Sequence, residues 1–372
     1  MGTKDGASRI VSVERKHAWI VLNAAASLTP KRRRALFEVF GDPVTICTAS
    51  EAELAAVIGE GAARRLVEEI GGIDPVREVS LAEGAGATIL TLEDEGYPEV
   101  LRDLPDPPLA LYVLGELCPE DARGIAIVGT RRATSYGRLV ARKLAEELAG
   151  RGITVVSGMA PGIDTAAHRG ALAAGRTVAV LGTGLGRPYP AGSARLLEEI
   201  TAHGAVISEF PWEREGSKWS FPRRNRIIAG LSRGVVVVEA PERSGALITA
   251  DIALEQGKEI FAVPGPITSE TSRGTNRLIQ EGAKPVTCVA DILEEFPDLA
   301  AHRPEDKGMA MKLGPEEERV YSALGGDPLT AEEIAERTGL PYATVARVLL
   351  ELSLAGIVEE TPGGRYLRSR IG

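Results

Sequence analysis

From residue 125 onward, short apolar runs alternate with amphipathic stretches, and this rhythm leaves the chain few folds to choose from. The runs are Ile125–Val128, Thr154–Val156, Val178–Leu181, Val206–Ile207, Val235–Val238 and Ile260–Val263. Between them lie the helical segments Tyr136–Ala149, Asp164–Ala174, Ala191–Thr201, Pro222–Leu231 and Ala246–Gln256. A strand that is apolar on both sides has no face to give to water, so both faces must be covered. Such strands separated by helices predict a parallel sheet with a helical layer on each side, an α/β architecture. Glycine follows the runs at Gly129, Gly158, Gly182 and Gly265. Ligands of open α/β sheets lie beyond the carboxyl ends of the strands, so these glycines stand where a backbone would approach one.

The flanks read differently. Residues 1–80 predict a small helical domain of helix-hairpin or SAM type. Thr29 and Pro30 supply the N-cap and first position of a helix over 31–40, which Gly41-Asp42-Pro43 stops. Ser50 with Glu53 makes a capping box, and Gly59 and Gly61 break the helix before Ala62–Ile70 resumes. The core is expected over 81–298, with 81–121 a lead-in whose Pro105, Pro107 and Pro108 exclude regular helix. Residues 298–313 read as a linker. Three helices then follow at Pro315–Leu324, Thr330–Thr338 and Tyr342–Ala355, with Thr330 and Glu333 as a capping box. Ile357–Glu360, a turn at 362–364 and Tyr366–Arg368 close a β-hairpin, which predicts a winged helix over 313–372.

At 372 residues the chain holds two or three domains. Its net charge of −9 would argue against a nucleic-acid partner if it were even, but it is not. Residues 122–298 carry 22 basic and 19 acidic side chains, while the acidic excess lies in the flanks. A local basic cleft is compatible with such a total. No run reaches the roughly 18 apolar residues of a membrane span. Lys4, Asp5, Arg9, Glu14, Arg15 and Lys16 interrupt any signal-peptide core, so no membrane partner is expected. Cys47, Cys118 and Cys288 are far apart and the four histidines are scattered. Neither a disulfide framework, nor a metal site, nor a cofactor is expected, and a reducing cytoplasm is the expected home.

The chemistry-bearing residues cluster at the strand ends. Gly129-Thr130-Arg131-Arg132 is neither a GxGxxG turn nor a P-loop. It offers amides, a hydroxyl and guanidinium groups, a set suited to phosphate. Gly182-Thr183-Gly184-Leu185-Gly186-Arg187 permits close backbone approach and adds a cation. In Phe221-Pro222-Arg223-Arg224-Asn225-Arg226, Pro222 fits the first position of a helix and three arginines crowd its first turn, against the helix dipole. That placement calls for an anion or for buried carboxylates, with Glu209 and Glu239 as internal candidates. Ser244-Gly245 opens another helix, with Thr249 one turn in. Asp164, after Ser157-Gly158-Met159, is expected to cap a helix, and His168 has no nucleophile partner in the sequence. Tyr189, Trp219 and Phe221 are the nearest stacking faces.

Taken in order, Gly129-Thr-Arg131, Ser157-Gly-Met-Ala-Pro-Gly-Ile-Asp164, Leu181-Gly-Thr-Gly184, Tyr189-Pro190, Ser208-Glu-Phe-Pro211, the run Phe221 to Ser232, Ser244-Gly-Ala-Leu-Ile-Thr249 and Val263-Pro-Gly265 resemble the DprA family, also called Smf. The resemblance spans about residues 88–296. It implies an extended Rossmann-like core that dimerises through itself, binds single-stranded DNA entering by natural transformation, protects it, and loads the recombinase RecA. It implies no catalytic residue. The phosphate-binding turn carries over to Gly129, Thr130 and Arg131, with Arg132 beside it. The loops carry over to Ser157, Gly158, Gly182, Thr183, Gly184, Ser244, Gly245 and Thr249, and the helix start to Arg224, Asn225 and Arg226. The family's frequent Lys after Tyr-Pro is Ala191 here, leaving Arg187 as the substitute.

Two other functions fit parts of the pattern. A nucleotide-phosphate hydrolase on a related fold would need a Pro-Gly-Gly-x-Gly-Thr-x-x-Glu loop, and the comparable region is Ser244–Thr249. A duplex-reading regulator would need a cationic recognition helix, and Tyr342–Ala355 carries only Arg347, near Glu351. Four neutralised phosphates would give a salt slope of about −3 for a single strand. Leu278, Ile279 and Cys288–Phe296 suit either a dimer contact or packing on their own sheet.

Overall fold

The computed structural model describes residues 15–300, 314–324, 328–354, 358–361 and 364–368. The chain divides into two compact units, Met1–Arg303 and Pro304–Gly372.

The larger unit is built on nine strands: β1 (Thr88–Thr91), β2 (Ala110–Gly115), β3 (Gly124–Val128), β4 (Val155–Ser157), β5 (Thr177–Val180), β6 (Ala205–Ser208), β7 (Ser232–Val237), β8 (Glu259–Ala262) and β9 (Lys284–Pro285). Their spatial order is β1-β2-β6-β5-β4-β3-β7-β8-β9. From β6 to β9 every pairing is parallel, while the β1–β2 and β2–β6 pairings are antiparallel, so β2 alone runs against the other strands. All six apolar runs form strands. Ile125 and Ile127 join Val155, Val236 and Phe261 on one face, while Ala126 and Val128 join Val156, Val235 and Val237 on the other. Helices Ser135–Gly150 and Ile163–Ala174 cover the first face; Ser220–Gly230 and Gly245–Glu255 cover the second. The chain winds outward from β3 through β4, β5 and β6, then returns to β3's other side at β7. The topological switch point therefore lies between β3 and β7.

The lead-in holds more order than its prolines suggest. Pro105, Pro107 and Pro108 sit in the connection, and the ladder begins after them at Ala110. A missing N–H costs nothing where no ladder bond is due. Ahead of it, the helix over 15–24 and the helices Pro30–Phe40, Pro43–Thr48, Glu51–Ile58, Glu60–Gly72 and Pro75–Gly84 share a core of Trp19, Leu22, Leu36, Ile46, Leu54 and Leu66, closed by Leu109. Gly41 ends its helix at φ 69°, and the Ser50–Glu53 capping box is formed. Gly61 lies inside a helix; Gly59 alone makes the break. Asn23 ties these helices to the sheet, donating to Glu209 O at 2.6 Å and accepting from Ala110 N at 3.1 Å.

Residues 288–296 pack on their own sheet: Val289, Ile292, Leu293 and Phe296 are buried in its first core. The segment read as a linker falls mostly outside the described residues, although Pro297–Ala300 is helical. The smaller unit is a winged helix. Its helices are Pro315–Ala323, Ala331–Thr338 and Tyr342–Leu354, and Leu329–Thr330, Val358–Thr361 and Arg365–Arg368 form a three-stranded sheet. Thr330 and Glu333 make the capping box. Most of the closing turn, at 362–363, lies outside the described residues.

Candidate nucleic-acid interface

The turn after β3 bends back into the body of the protein. Thr130 N donates to Glu239 O at 2.7 Å across the switch point, and Thr130 Oγ1 accepts from Arg132 N at 3.2 Å. With Thr130 buried, Arg131 and Arg132 are turned out to solvent. The Arg131 guanidinium lies 4.9 Å from the centroid of the Phe221 ring and 5.6 Å from that of Tyr189. The two rings are 5.4 Å apart. One cation and two aromatic faces thus converge from two loops and the start of helix Ser220–Gly230, with Tyr189 40% exposed. Arg187 is exposed on the same loop as Tyr189. The glycines there answer to packing. Gly184 N donates to Arg214 O at 2.8 Å and Gly186 N to Trp212 O at 2.9 Å. A Cβ at Gly184 would collide with the carbonyls of Pro211 and Trp212, and one at Gly182 with the Phe221 ring. These loops therefore use their amides internally. Thr183 is buried beneath them, with Oγ1 unpartnered, and Thr183 O accepts from Ser208 Oγ at 2.6 Å. The side chain of Ala191 lies outside the described part.

A second group of the expected contacts sits beneath this surface. Ser157 is fully buried and donates to Ile127 O at 2.6 Å. Arg224 is 5% exposed and donates to Gly158 O at 2.7 Å and to Val180 O. A Cβ on Gly158 would strike both the Arg224 guanidinium and the Asp164 carboxylate. Arg224 is thus a strut joining the ends of β4 and β5, turned away from solvent. Asp164 does more than cap: it faces Arg224 and accepts from the amides of Ala160, Gly129 and Gly158. Met159, between them, holds a left-handed φ of 60°, a strained conformation for a side chain of its size.

Burial dominates the ionisation of this network. It pushes the Asp164 carboxyl up to about 6 despite Arg224 and the amides. It pushes His168 down to about 3, with Arg224 adding to the shift. His168 Nδ1 faces Thr177 Oγ1 at 2.8 Å; that hydroxyl donates to Val155 O, so the ring nitrogen is the donor. The two groups oppose each other with pH. The folded state holds the Asp164 proton more tightly than the unfolded chain, so stability from this group rises as pH falls from 6 toward 4. His168 is protonated more readily in the unfolded chain, so stability from it falls as pH drops from about 6.5 toward 3. Asp164→Asn removes only the first effect. Its unfolding midpoint should therefore fall more steeply than that of the unaltered protein between pH 6.5 and 4, and parallel curves would refute the assignment.

Helix Ser220–Gly230 begins two residues earlier than its proline suggests, so Pro222 stands at the third position and the arginines in the second turn. Their countercharges are internal. Glu209 Oε2 receives Arg223 Nε at 3.2 Å and Arg226 Nη2 at 2.5 Å, and Arg226 Nε also meets Asp106 at 3.2 Å. Asp106 in turn pairs with the buried Arg33. Arg226 is therefore engaged inside the protein and does not belong to the open surface. Glu239 takes no arginine: it accepts from Thr134 N at 2.9 Å and Thr134 Oγ1 at 2.6 Å. Asn225 is buried, its amide 3.5 Å from Gly245 O. Ser244 caps its helix through Ala246 N, and Thr249 is buried 3.4 Å from Gly245 O. Gly245 itself borders open space.

The structure thus brings Arg131, Tyr189 and Phe221 into one exposed cluster, flanked by Arg132 and Arg187. It withdraws Ser157, Thr183, Arg224, Asn225, Arg226 and Thr249. Arg214, which the sequence did not single out, is exposed with its guanidinium 5.5 Å from the Trp219 ring centroid. In the winged helix, Arg347 pairs with Glu316 and Glu351, both at 2.8 Å, which leaves its helix poor in free cations for a DNA groove. Among the described residues no helix is long and apolar enough to cross a membrane.

Comparison with known proteins gives the family. The model for DNA recombination-mediator protein A matches residues 88–297, and that for the DprA winged helix domain matches 304–364. Protein Smf of Escherichia coli is 42% identical over 294 residues, covering 76% of this chain and 77% of that protein. DNA processing protein DprA of Bacillus subtilis is 42% identical over 215 residues, 57% of this chain and 72% of the relative. Among solved structures, DprA from Streptococcus pneumoniae superposes with a TM-score of 0.65 at 35% identity, covering 74% of this chain and 96% of that one. DprA from Helicobacter pylori, solved for its single-stranded DNA binding mode, gives 0.52 at 32% identity over 57% of this chain and 96% of its own. With its Rossmann-like core and its winged helix both matched, the chain belongs to the DNA recombination-mediator protein A family, DprA or Smf.

Proposed function

We propose that this protein binds single-stranded DNA through its sugar-phosphate backbone, at the carboxyl edge of the central sheet. The observation that carries this is the exposed Arg131 guanidinium stacked on Tyr189 and Phe221. A cation held over rings offers a fork to phosphate and leaves ring surface for bases, the pairing that sequence-tolerant single-strand binders use. The relative from Helicobacter pylori, described by its single-stranded DNA binding mode, supports the same partner. The resemblance adds the wider role: protection of DNA entering by natural transformation and loading of RecA, by a cytoplasmic homodimer joined through the core. It also supports division into a helical domain over 1–80, the core over 81–298 and the winged helix over 313–372. The protein is taken to hold its ligand without turnover.

The test compares a single strand, a duplex and a mononucleotide at two salt concentrations. The cations still open are Arg131, Arg132 and Arg187, one fewer than the four phosphates expected from sequence. At about 0.7 per phosphate neutralised, log affinity should fall against log salt with a slope of about −2. A slope near zero would refute phosphate binding. Tighter binding to duplex would favour a duplex-reading regulator, and turnover of nucleoside monophosphates a hydrolase. Faster RecA filament growth on the strand when this protein is present would support the loading role.

A further inference from the structure

Glu239 follows β7 at the switch point and holds the turn that carries Arg131 at both of its ends. Its main-chain carbonyl accepts from Thr130 N at 2.7 Å. Its carboxylate accepts from Thr134 N at 2.9 Å and from Thr134 Oγ1 at 2.6 Å. Thr271 Oγ1 approaches the same carboxylate at 3.4 Å from the segment after β8. Thr134 in turn caps helix Ser135–Gly150 by accepting from Gly137 N at 3.0 Å. A Cβ at Gly137 would lie 2.3 Å from the carboxylate, so glycine is what lets Glu239 reach the helix start. The residue is 4% exposed, and no lysine or arginine pairs with it among the described residues. A carboxylate buried without a cation is costly unless its donors offset the loss of water. Here those donors are the far end of the turn and Thr271, with the positive end of the helix beside them.

We propose that Glu239 is the positioning residue of the phosphate turn: its carboxylate pins Thr134, so that Arg131 and Arg132 are held out toward the DNA strand. The proposal rests on the single-strand binding argued above. The near end of the turn, at Thr130, is fixed by a main-chain bond that any residue at 239 would make. The far end is tied to the β7 side of the switch point by the Glu239 side chain. Only residues 131–133 lie between the two holds, and they include both exposed arginines. A span so short, fixed at each end, has given up most of its backbone freedom before any ligand arrives. Binding then costs less ordering, which is how preorganisation raises affinity. Glu239 is itself buried and acts through the turn.

The test titrates the full-length protein with end-labelled oligo-dT and reads anisotropy, at low salt so that weakened variants still bind. In Glu239→Ala, affinity should fall about fivefold, because Thr134 loses its acceptor and the arginines must be ordered on binding. Glu239→Gln keeps an acceptor for Thr134 N and a partner for Thr134 Oγ1, and it should restore most of the affinity. In an Arg131→Ala, Arg132→Ala background, Glu239→Ala should cost less than about twofold, because the groups it positions are gone. A loss that came only from a less stable fold would be the same in both backgrounds. Thr134→Val, at an exposed position, removes the hydroxyl and should show the same dependence on the two arginines. It gives the answer even if Glu239→Ala does not fold, which a urea midpoint would reveal. An equal loss in both backgrounds, or none in either, would overturn the positioning role while leaving the phosphate site in place. If Arg131→Ala, Arg132→Ala binds as tightly as the unaltered protein, the phosphate site itself is misplaced and this role falls with it.

Discussion

Replacing Arg224 with methionine should destabilise the folded protein by roughly 2–6 kcal/mol, about 1–3 for each of the two buried carbonyls left without a donor. The residue is 5% exposed and donates to Gly158 O and Val180 O. Burial draws its guanidinium down to about 10, with Arg131 adding to the shift and Asp164 opposing it. Methionine fills similar space but leaves two carbonyls unmet and the Asp164 carboxylate without its countercharge. The measurement is a urea unfolding curve: the midpoint should fall while the slope holds. Pairing the change with Asp164→Asn should recover part of the loss, because removing both charges costs less than stranding one. A loss under about 1 kcal/mol for the single variant would mean that water reaches the site and that Arg224 is no strut. DNA binding should weaken too, since Arg224 ties together the loops after β4 and β5, but only through their displacement.

The sheet was legible because its strands are apolar on both faces, a pattern that short helices do not share. Ile125–Val128 and Val235–Val238 announce themselves, whereas Ala110–Gly115 was hidden by the three prolines before it. Strand-end glycines marked the loops correctly, but not what they touch. Gly184 is required by the carbonyls of Pro211 and Trp212, a contact made by a turn nearly thirty residues away. The arginines divide in the same way. Sequence shows that Arg224 and Arg226 crowd one helix start and need anions. It does not show that the anions are Asp164, Glu209 and Asp106, brought in from three other segments. Cation crowding by itself thus fits an internal network as well as an external phosphate, and only side-chain burial separates the two. Arg131 differs because Thr130 is anchored at the switch point, which leaves the next residue no inward course. Trp219 is legible as a stacking face, but its partner Arg214 is not, because their contact depends on how the segment 211–219 folds back on itself.

Arg131→Ala should weaken binding of single-stranded DNA about tenfold or more, and by the same factor for every sequence. The exposed guanidinium lies over two rings, so alanine removes a phosphate contact and also unseats Tyr189, whose face is open on one side. Base–aromatic stacking contributes about 1–3 kcal/mol per base, and a phosphate contact adds its share of counterion release. Neither depends on base identity, which is why the loss should be uniform. Arg131→Lys separates the two contributions: the charge remains, so the salt slope should stay near −2, while the guanidinium's contact with the Phe221 ring is lost and affinity falls part of the way. The measurement is anisotropy with oligonucleotides of differing composition at two salt concentrations. Stability should hardly change, because Arg131 is exposed and pairs with no carboxylate among the described residues, in contrast to Arg224. A loss confined to one sequence would indicate that Arg131 reads a base edge. An unchanged affinity would place the DNA elsewhere on the molecule and remove the basis for a trough along the sheet's carboxyl edge.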